Sequence, residues 1–170
     1  MKRKLLFPLI AALLLVPWPI AYAYDSVKAA NIPMTIEAAD PSAAPQMKAF
    51  GNAIGSVSPG ELFRVDTTGA ADTLFTIYLT NTDELVSSYR YMTLNIGIYV
   101  QTDTDRWEKA TTFTGGTSPD IYLTMQGAVV SFTLPGSAKY KITIEKGCFY
   151  CYGVHSAGNI AVPEFNLTAS

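Results

Sequence analysis

Between residues 89 and 101 apolar and polar side chains alternate one for one. Met92, Leu94, Ile96, Ile98 and Val100 fall on one parity, and Tyr89, Tyr91, Thr93, Asn95, Gly97 and Tyr99 on the other. A helix turns by about 100° per residue and would scatter both sets around its circumference. A strand sends successive side chains to opposite faces, so the pattern predicts a strand with one face in a core. Phe75, Ile77 and Leu79 oppose Leu74, Thr76 and Tyr78 in the same way, and Tyr140, Ile142 and Ile144 oppose Lys141 and Thr143. Shorter runs at residues 121–125, 129–134 and 160–168 have strand composition, and no stretch sustains apolar spacing of three and four. Ser58-Pro59-Gly60, Gly115-Gly116, Pro119-Asp120 and Pro135-Gly136 punctuate the runs with turn residues. About eight to ten short strands at this spacing predict an all-β fold, an antiparallel two-sheet sandwich of jelly-roll or immunoglobulin-like type.

The first 23 residues obey a different rule. Lys2, Arg3 and Lys4 precede an apolar run from Leu5 to Ile20, and Ala21-Tyr22-Ala23 places small residues where a signal peptidase cuts. Pro8, Pro17 and Pro19 each interrupt helical hydrogen bonding, which disfavours an uncleaved membrane helix. The expected organisation is a cleaved signal at 1–23, an N-terminal strand with its linker at 24–45, and a β domain at 46–170. Cleavage removes three of the 12 Lys and Arg and leaves 9 against 14 Asp and Glu. The signal predicts a secreted or cell-surface protein, and a mildly acidic product without a basic run predicts that it binds neither nucleic acid nor an anionic membrane.

Both cysteines and the one histidine gather in Cys148-Phe-Tyr-Cys151-Tyr-Gly-Val-His155. In an exported chain the pair Cys148 and Cys151 predicts a disulfide that stiffens a turn. Haem attachment needs a histidine where Tyr152 stands. Structural zinc needs four ligands, and blue copper needs two histidines. No metal and no cofactor is expected, and thiol redox or copper(I) handling by the pair is the weakest alternative. A single histidine with no Gly-x-Ser-x-Gly elbow gives no triad, so no catalytic residue is assigned. Asp103, Asp105 and Glu108 sit among Thr102, Thr104 and Arg106, which reads as a solvated hairpin turn. Tyr78, Tyr89, Tyr91 and Tyr99 form a candidate binding face for carbohydrate or a surface glycan, the alternative being cross-strand aromatic pairs that support the sheet. Asn166-Leu167-Thr168 has the pattern of a glycosylation sequon.

Val57-Ser-Pro-Gly-Glu61, then Ile77-Tyr-Leu-Thr-Asn-Thr-Asp-Glu-Leu85, then Tyr89-Arg-Tyr-Met-Thr-Leu-Asn-Ile96 resembles the biofilm-matrix fibre subunits of the TasA/camelysin type. Phe165-Asn-Leu-Thr-Ala169 resembles their final strand. The likeness covers the middle third and the tail, and it is a likeness of strands and turns. The Cys148/Cys151 pair departs from it. The resemblance implies a jelly-roll subunit that polymerises by donating its N-terminal strand to a neighbouring copy.

The residues support that mechanism on their own terms. Val27, Ile32, Met34 and Ile36 follow the cleavage site and are available for burial, tethered by a linker-like stretch at 40–45. Such a strand completes a neighbour's sheet through main-chain hydrogen bonds, or pairs within its own. The expected function is a secreted structural subunit whose partners are copies of itself in an extracellular fibre. An adhesin module that binds carbohydrate is the alternative.

Overall fold

The computed structural model describes residues 18–19, 33–50, 54–110, 120–152 and 161–170. Val27, Ile32, His155 and the turn residues Gly115 and Gly116 lie outside the described residues. Those described form β1 (Trp18–Pro19), β2 (Thr35–Ala38), β3 (Gln46–Phe50), β4 (Ile54–Val57), β5 (Gly60–Asp66), β6 (Thr73–Leu79), α1 (Thr82–Ser88), β7 (Tyr89–Asp103), β8 (Arg106–Lys109), β9 (Asp120–Thr124), β10 (Val129–Leu134), β11 (Lys139–Cys151) and β12 (Phe165–Ala169).

They build two antiparallel sheets, so the chain is predominantly β. In the larger one, β7 and β11 pair along almost their whole length. β8 and β9 share the far edge of β7, while β5 and β4 share the far edge of β11. β2 extends β5, β3 extends β4, and the two residues of β1 pair with the start of β3. The smaller sheet has the order β10-β6-β12. Buried side chains of both belong to one core: Ile36, Phe63, Leu94, Ile96, Ile142 and Ile144 from the large sheet, Phe75, Ile77, Phe132 and Leu167 from the small one. Phe75 and Phe132, opposite each other on β6 and β10, stack with ring centroids 6.1 Å apart.

The alternation of β7 sorts as expected, with Met92, Leu94, Ile96 and Ile98 all in the core. Two β-bulges then change the parity of the neighbouring residues. On β11, Ile144 pairs with Ile96 but Lys146 pairs with Asn95, so Glu145 is an extra residue. Before it the even-numbered Tyr140, Ile142 and Ile144 are buried; after it the odd-numbered Phe149 and Cys151 are. At the start of β7, Tyr150 pairs with Tyr91 and Cys151 with Tyr89, which makes Arg90 the extra residue. Tyr89 is thereby turned from the face of Tyr91 into the core.

α1 breaks the all-strand expectation after β6. Asp83 and Glu84 occupy its first turn, where carboxylates complement the helix dipole, and Leu85 anchors it in the core. Asn81, at the N-cap position, holds the approach to β12 instead: its Nδ2 donates to Val162 O at 2.8 Å and its Oδ1 accepts from Glu164 N at 3.1 Å.

The stretch at 40–45 is an ordered turn and not a loose tether. Pro41–Ala43 forms a 3₁₀ turn, Asp40 Oδ1 accepts from Ser42 N at 2.8 Å, and Ala44 and Pro45 are buried. β5 passes so close that a Cβ on Gly60 would stand 2.5 Å from the Ala44 carbonyl carbon, which is why glycine occupies that position.

Candidate functional site: an edge strand and the outer face of the large sheet

Among the described residues β2 is the last strand on its path through the large sheet, and four residues carry it. Thr35, Ile36, Glu37 and Ala38 face Asp66, Val65, Arg64 and Phe63 of β5. Ala39 N donates to Leu62 O at 2.9 Å. Period-two geometry divides residues 34–37: Met34 and Ile36 enter the core at 4% exposure each, and Thr35 and Glu37 point outward. Ala39, just past the strand, breaks the alternation and is buried as well. In this chain the segment therefore pairs within its own sheet. It does so as a short peptide would, by main-chain bonds and two large apolar anchors.

The outward residues of β2 begin two rows that run across the strands. Register places Glu37, Arg64, Lys141, Tyr99 and Lys109 side by side. The adjacent row contains Thr35, Asp66 and Lys139, with Gln101 and Trp107 opposite each other on β7 and β8. The Lys141 ammonium lies over both aromatic rings, 5.3 Å from the centre of Tyr99 and 5.0 Å from that of Trp107. Glu145, the bulge residue, accepts from the Tyr99 hydroxyl and from Lys109 Nζ at 3.1 Å, and the missing side chain at Gly97 leaves it room. Asp66 pairs with Lys139 at 3.4 Å, and hydrogen bonding from Thr68 holds its carboxyl below the usual range. Between β2 and the β7–β8 hairpin these rows enclose a groove of about 410 Å³.

The four tyrosines expected to share a face do not meet. Tyr78 is on the small sheet. Tyr89 is buried, with its hydroxyl donating to Ala161 O at 2.7 Å and its ring edge-on to Phe149. Burial pushes its pKa well above 10.0. Tyr91 and Tyr99 do share the outer face of β7, but eight residues of strand separate them by roughly 27 Å. Tyr91 belongs instead to an exposed row with Tyr150 and Ile54, beside which the Arg90 guanidinium stacks over Tyr150 and Tyr152.

The expected disulfide is also corrected. Cys148 and Cys151 are free thiols, the first exposed and the second buried. The segment is strand where a turn was expected, and three residues of strand span roughly 10 Å, beyond the reach of a disulfide. The two sulfurs point to opposite faces, so they do not converge on one metal ion either. Burial raises the Cys151 pKa.

Asp103, Asp105 and Glu108 lie at an exposed hairpin, as expected. Asp103 Oδ1 accepts from Thr104 N at 2.7 Å, and Glu108 pairs with Arg106 at 2.7 Å. Among the described residues no group of three or more His, Cys, Asp or Glu is placed to hold a metal. None of their helices is long and apolar enough to cross a membrane. Asn166, the sequon residue, is buried in β12 with its Oδ1 unpartnered. The sequence assigns no role to Trp107, Gln101 or Glu145, and gives Lys141 only an outward face. The signal that could have found them is the hairpin at 102–105, which sets Trp107 opposite Gln101 and carries the outer parity of β7 onto β8.

No protein family matches this chain, and no curated protein matches it as a relative.

Proposed function

We propose that the chain is an exported structural subunit whose two sheets pack as a jelly-roll-type sandwich and which joins copies of itself into an extracellular fibre by exchanging β2. The observation that carries this reading is the construction of β2. Met34 and Ile36 together contribute about 3–6 kcal/mol of apolar burial, a large share of the net stability of a small domain. Residues 62–66 supply the matching slot. The same bonds and the same burial form whether β2 comes from its own chain or from a neighbour, so exchange costs little beyond association entropy. Cleavage after Ala23 would also remove Trp18–Pro19 from β3 and uncover a second edge. No catalytic role is assigned.

Electron microscopy of the chain beginning at Tyr24 tests this. Long filaments are expected, and deletion of residues 24–39 should abolish them. A synthetic peptide of residues 24–39, added to the deleted subunit, should occupy the slot without restoring growth. Filaments that persist after the deletion rule out strand exchange.

A further inference from the structure

We propose that the groove between β2 and the β7–β8 hairpin is a binding site for a neutral polysaccharide chain. This assignment needs β2 seated on β5, from whichever chain it comes, and does not need a fibre. The groove has Asp66 and Lys139 in its floor, Thr35 and Glu37 along one wall, and Asp105 and Trp107 along the other. Its volume of about 410 Å³ is within the range of small-ligand sites, ~300–1,000 Å³. β2 and β7 are separated by β5 and β11, so the floor is roughly 14 Å wide at ordinary strand spacing. That is room for a sugar chain lying across the strands.

The chemistry of the lining selects the ligand class. Glu37, Asp66 and Asp105, with Glu61 paired to Arg64, set four carboxylates against the cations Arg64, Lys139 and, beside Trp107, Lys141. A polyanion such as nucleic acid or a phosphate meets a majority of carboxylates, and a divalent cation meets carboxylates dispersed over three elements. Hydroxyl groups both donate and accept, so they can satisfy carboxylates, guanidinium and ammonium together. Trp107 adds a flat apolar wall of the kind that the C–H face of a pyranose covers. Lys141, stacked on the indole, fixes the ring before any ligand arrives, and preorganisation lowers the ordering cost of binding. The contacts holding the lining, Lys139 to Asp66 and Gln101 Nε2 to Thr104 O at 2.6 Å, fix the other polar groups in the same way.

Trp18 and Trp107 are the two tryptophans of the chain. A full-length Trp18→Phe variant therefore reports the groove alone through its fluorescence. Titration with soluble starch, dextran, β-1,3-glucan and galactomannan should give a saturable emission change with at least one of them, and heparin should give none. The double variant Glu37→Gln/Asp105→Asn should weaken that binding by about tenfold or more. Tyr91→Ala, in the exposed row far along β7, should leave it unchanged. Trp107→Ala should abolish retardation in a gel cast with the same polysaccharide; if it does not fold, the carboxylate variant decides. A flat response to every neutral polysaccharide, a response to heparin alone, or full affinity in the carboxylate variant each overturns the assignment.

Discussion

Shortening Ile36 to alanine is the sharpest probe of β2. Ile36 is 4% exposed and pairs with Val65 in the middle of the slot. Removing its outer carbons forfeits their transfer energy and leaves a cavity, about 2–4 kcal/mol for a buried isoleucine. Each kcal/mol lowers the melting temperature of a domain of this size by roughly 2–4 °C, so a fall of roughly 5–15 °C is expected by circular dichroism. The loss should be local before it is global, because β2 is held by β5 alone among the described strands. Exchange of the β5 amides that face β2 should accelerate on the order of 10²-fold, while those bonded to β11 and those of β6, in the other sheet, change only as far as global unfolding contributes. Thr35→Ala, on the outward parity, should stay within about 0.5 kcal/mol of the parent. A melting point within 1 °C of the parent (about 0.5 kcal/mol or less) together with unchanged exchange would falsify the placement of Ile36 in the core, and with it the plug-and-slot account of β2.

Free thiols are expected on both cysteines: Ellman's reagent should find one reactive thiol, Cys148, in the native protein and a second only after unfolding. No thiol in either state would restore the disulfide. Tyr89 makes the fold alkali-sensitive. Its folded pKa lies above its ordinary value of 10.0, so the unfolded phenol ionises first and stability falls as pH rises past 10.0. Tyr89→Phe should flatten that decline and cost about 1 kcal/mol at neutral pH from the lost bond to Ala161; an equal alkaline midpoint in the two proteins tells against it. Asn166→Leu removes a buried oxygen with no partner and should raise stability by about 1 kcal/mol, whereas a lower melting point would mean the amide is satisfied.

What was legible in the sequence is what period two encodes. The core faces of β6, β7 and the first half of β11 follow directly from it, because alternation over five or more residues has one physical solution. The bulges were not legible. Nothing in Glu145-Lys146-Gly147 announces that one residue will lack a partner, and a single such residue reverses the face of everything beyond it. That is why Phe149 and Cys151 are buried where the parity of Tyr140, Ile142 and Ile144 would leave them outside, and a second such residue, Arg90, is why Tyr89 is inside. β3 and β4 carry few strand-forming residues and take their place from pairing with β11 and with each other, a tertiary effect. α1 is seven residues long, too short for a helical period to emerge. The groove was not legible because its members come from β2, β5, β7, β8, β11 and the turn at 104–105, and only the sheet order puts them side by side.

β2 belongs to both proposed functions, and the alternation of its side chains couples them. Its inward residues, Met34 and Ile36, fill the slot, and its outward residues, Thr35 and Glu37, form a wall of the groove. A ligand that touches Thr35 and Glu37 binds only a subunit whose slot is occupied. By linkage it must stabilise the seated strand by RT ln(1 + [L]/Kd), about 2.7 kcal/mol at a hundredfold excess over Kd. In the proposed fibre the seated strand would belong to the neighbouring subunit, so the groove would be completed across the junction and the polysaccharide would grip two copies at once. The consequence is measurable without a filament. A neutral polysaccharide that shifts Trp107 emission should, at a hundredfold excess over Kd, slow exchange of the β5 amides that face β2 on the order of 10²-fold, while exchange in β12 slows only as far as it proceeds by global unfolding. Binding without any such slowing would separate the groove from β2 and leave two unconnected surfaces.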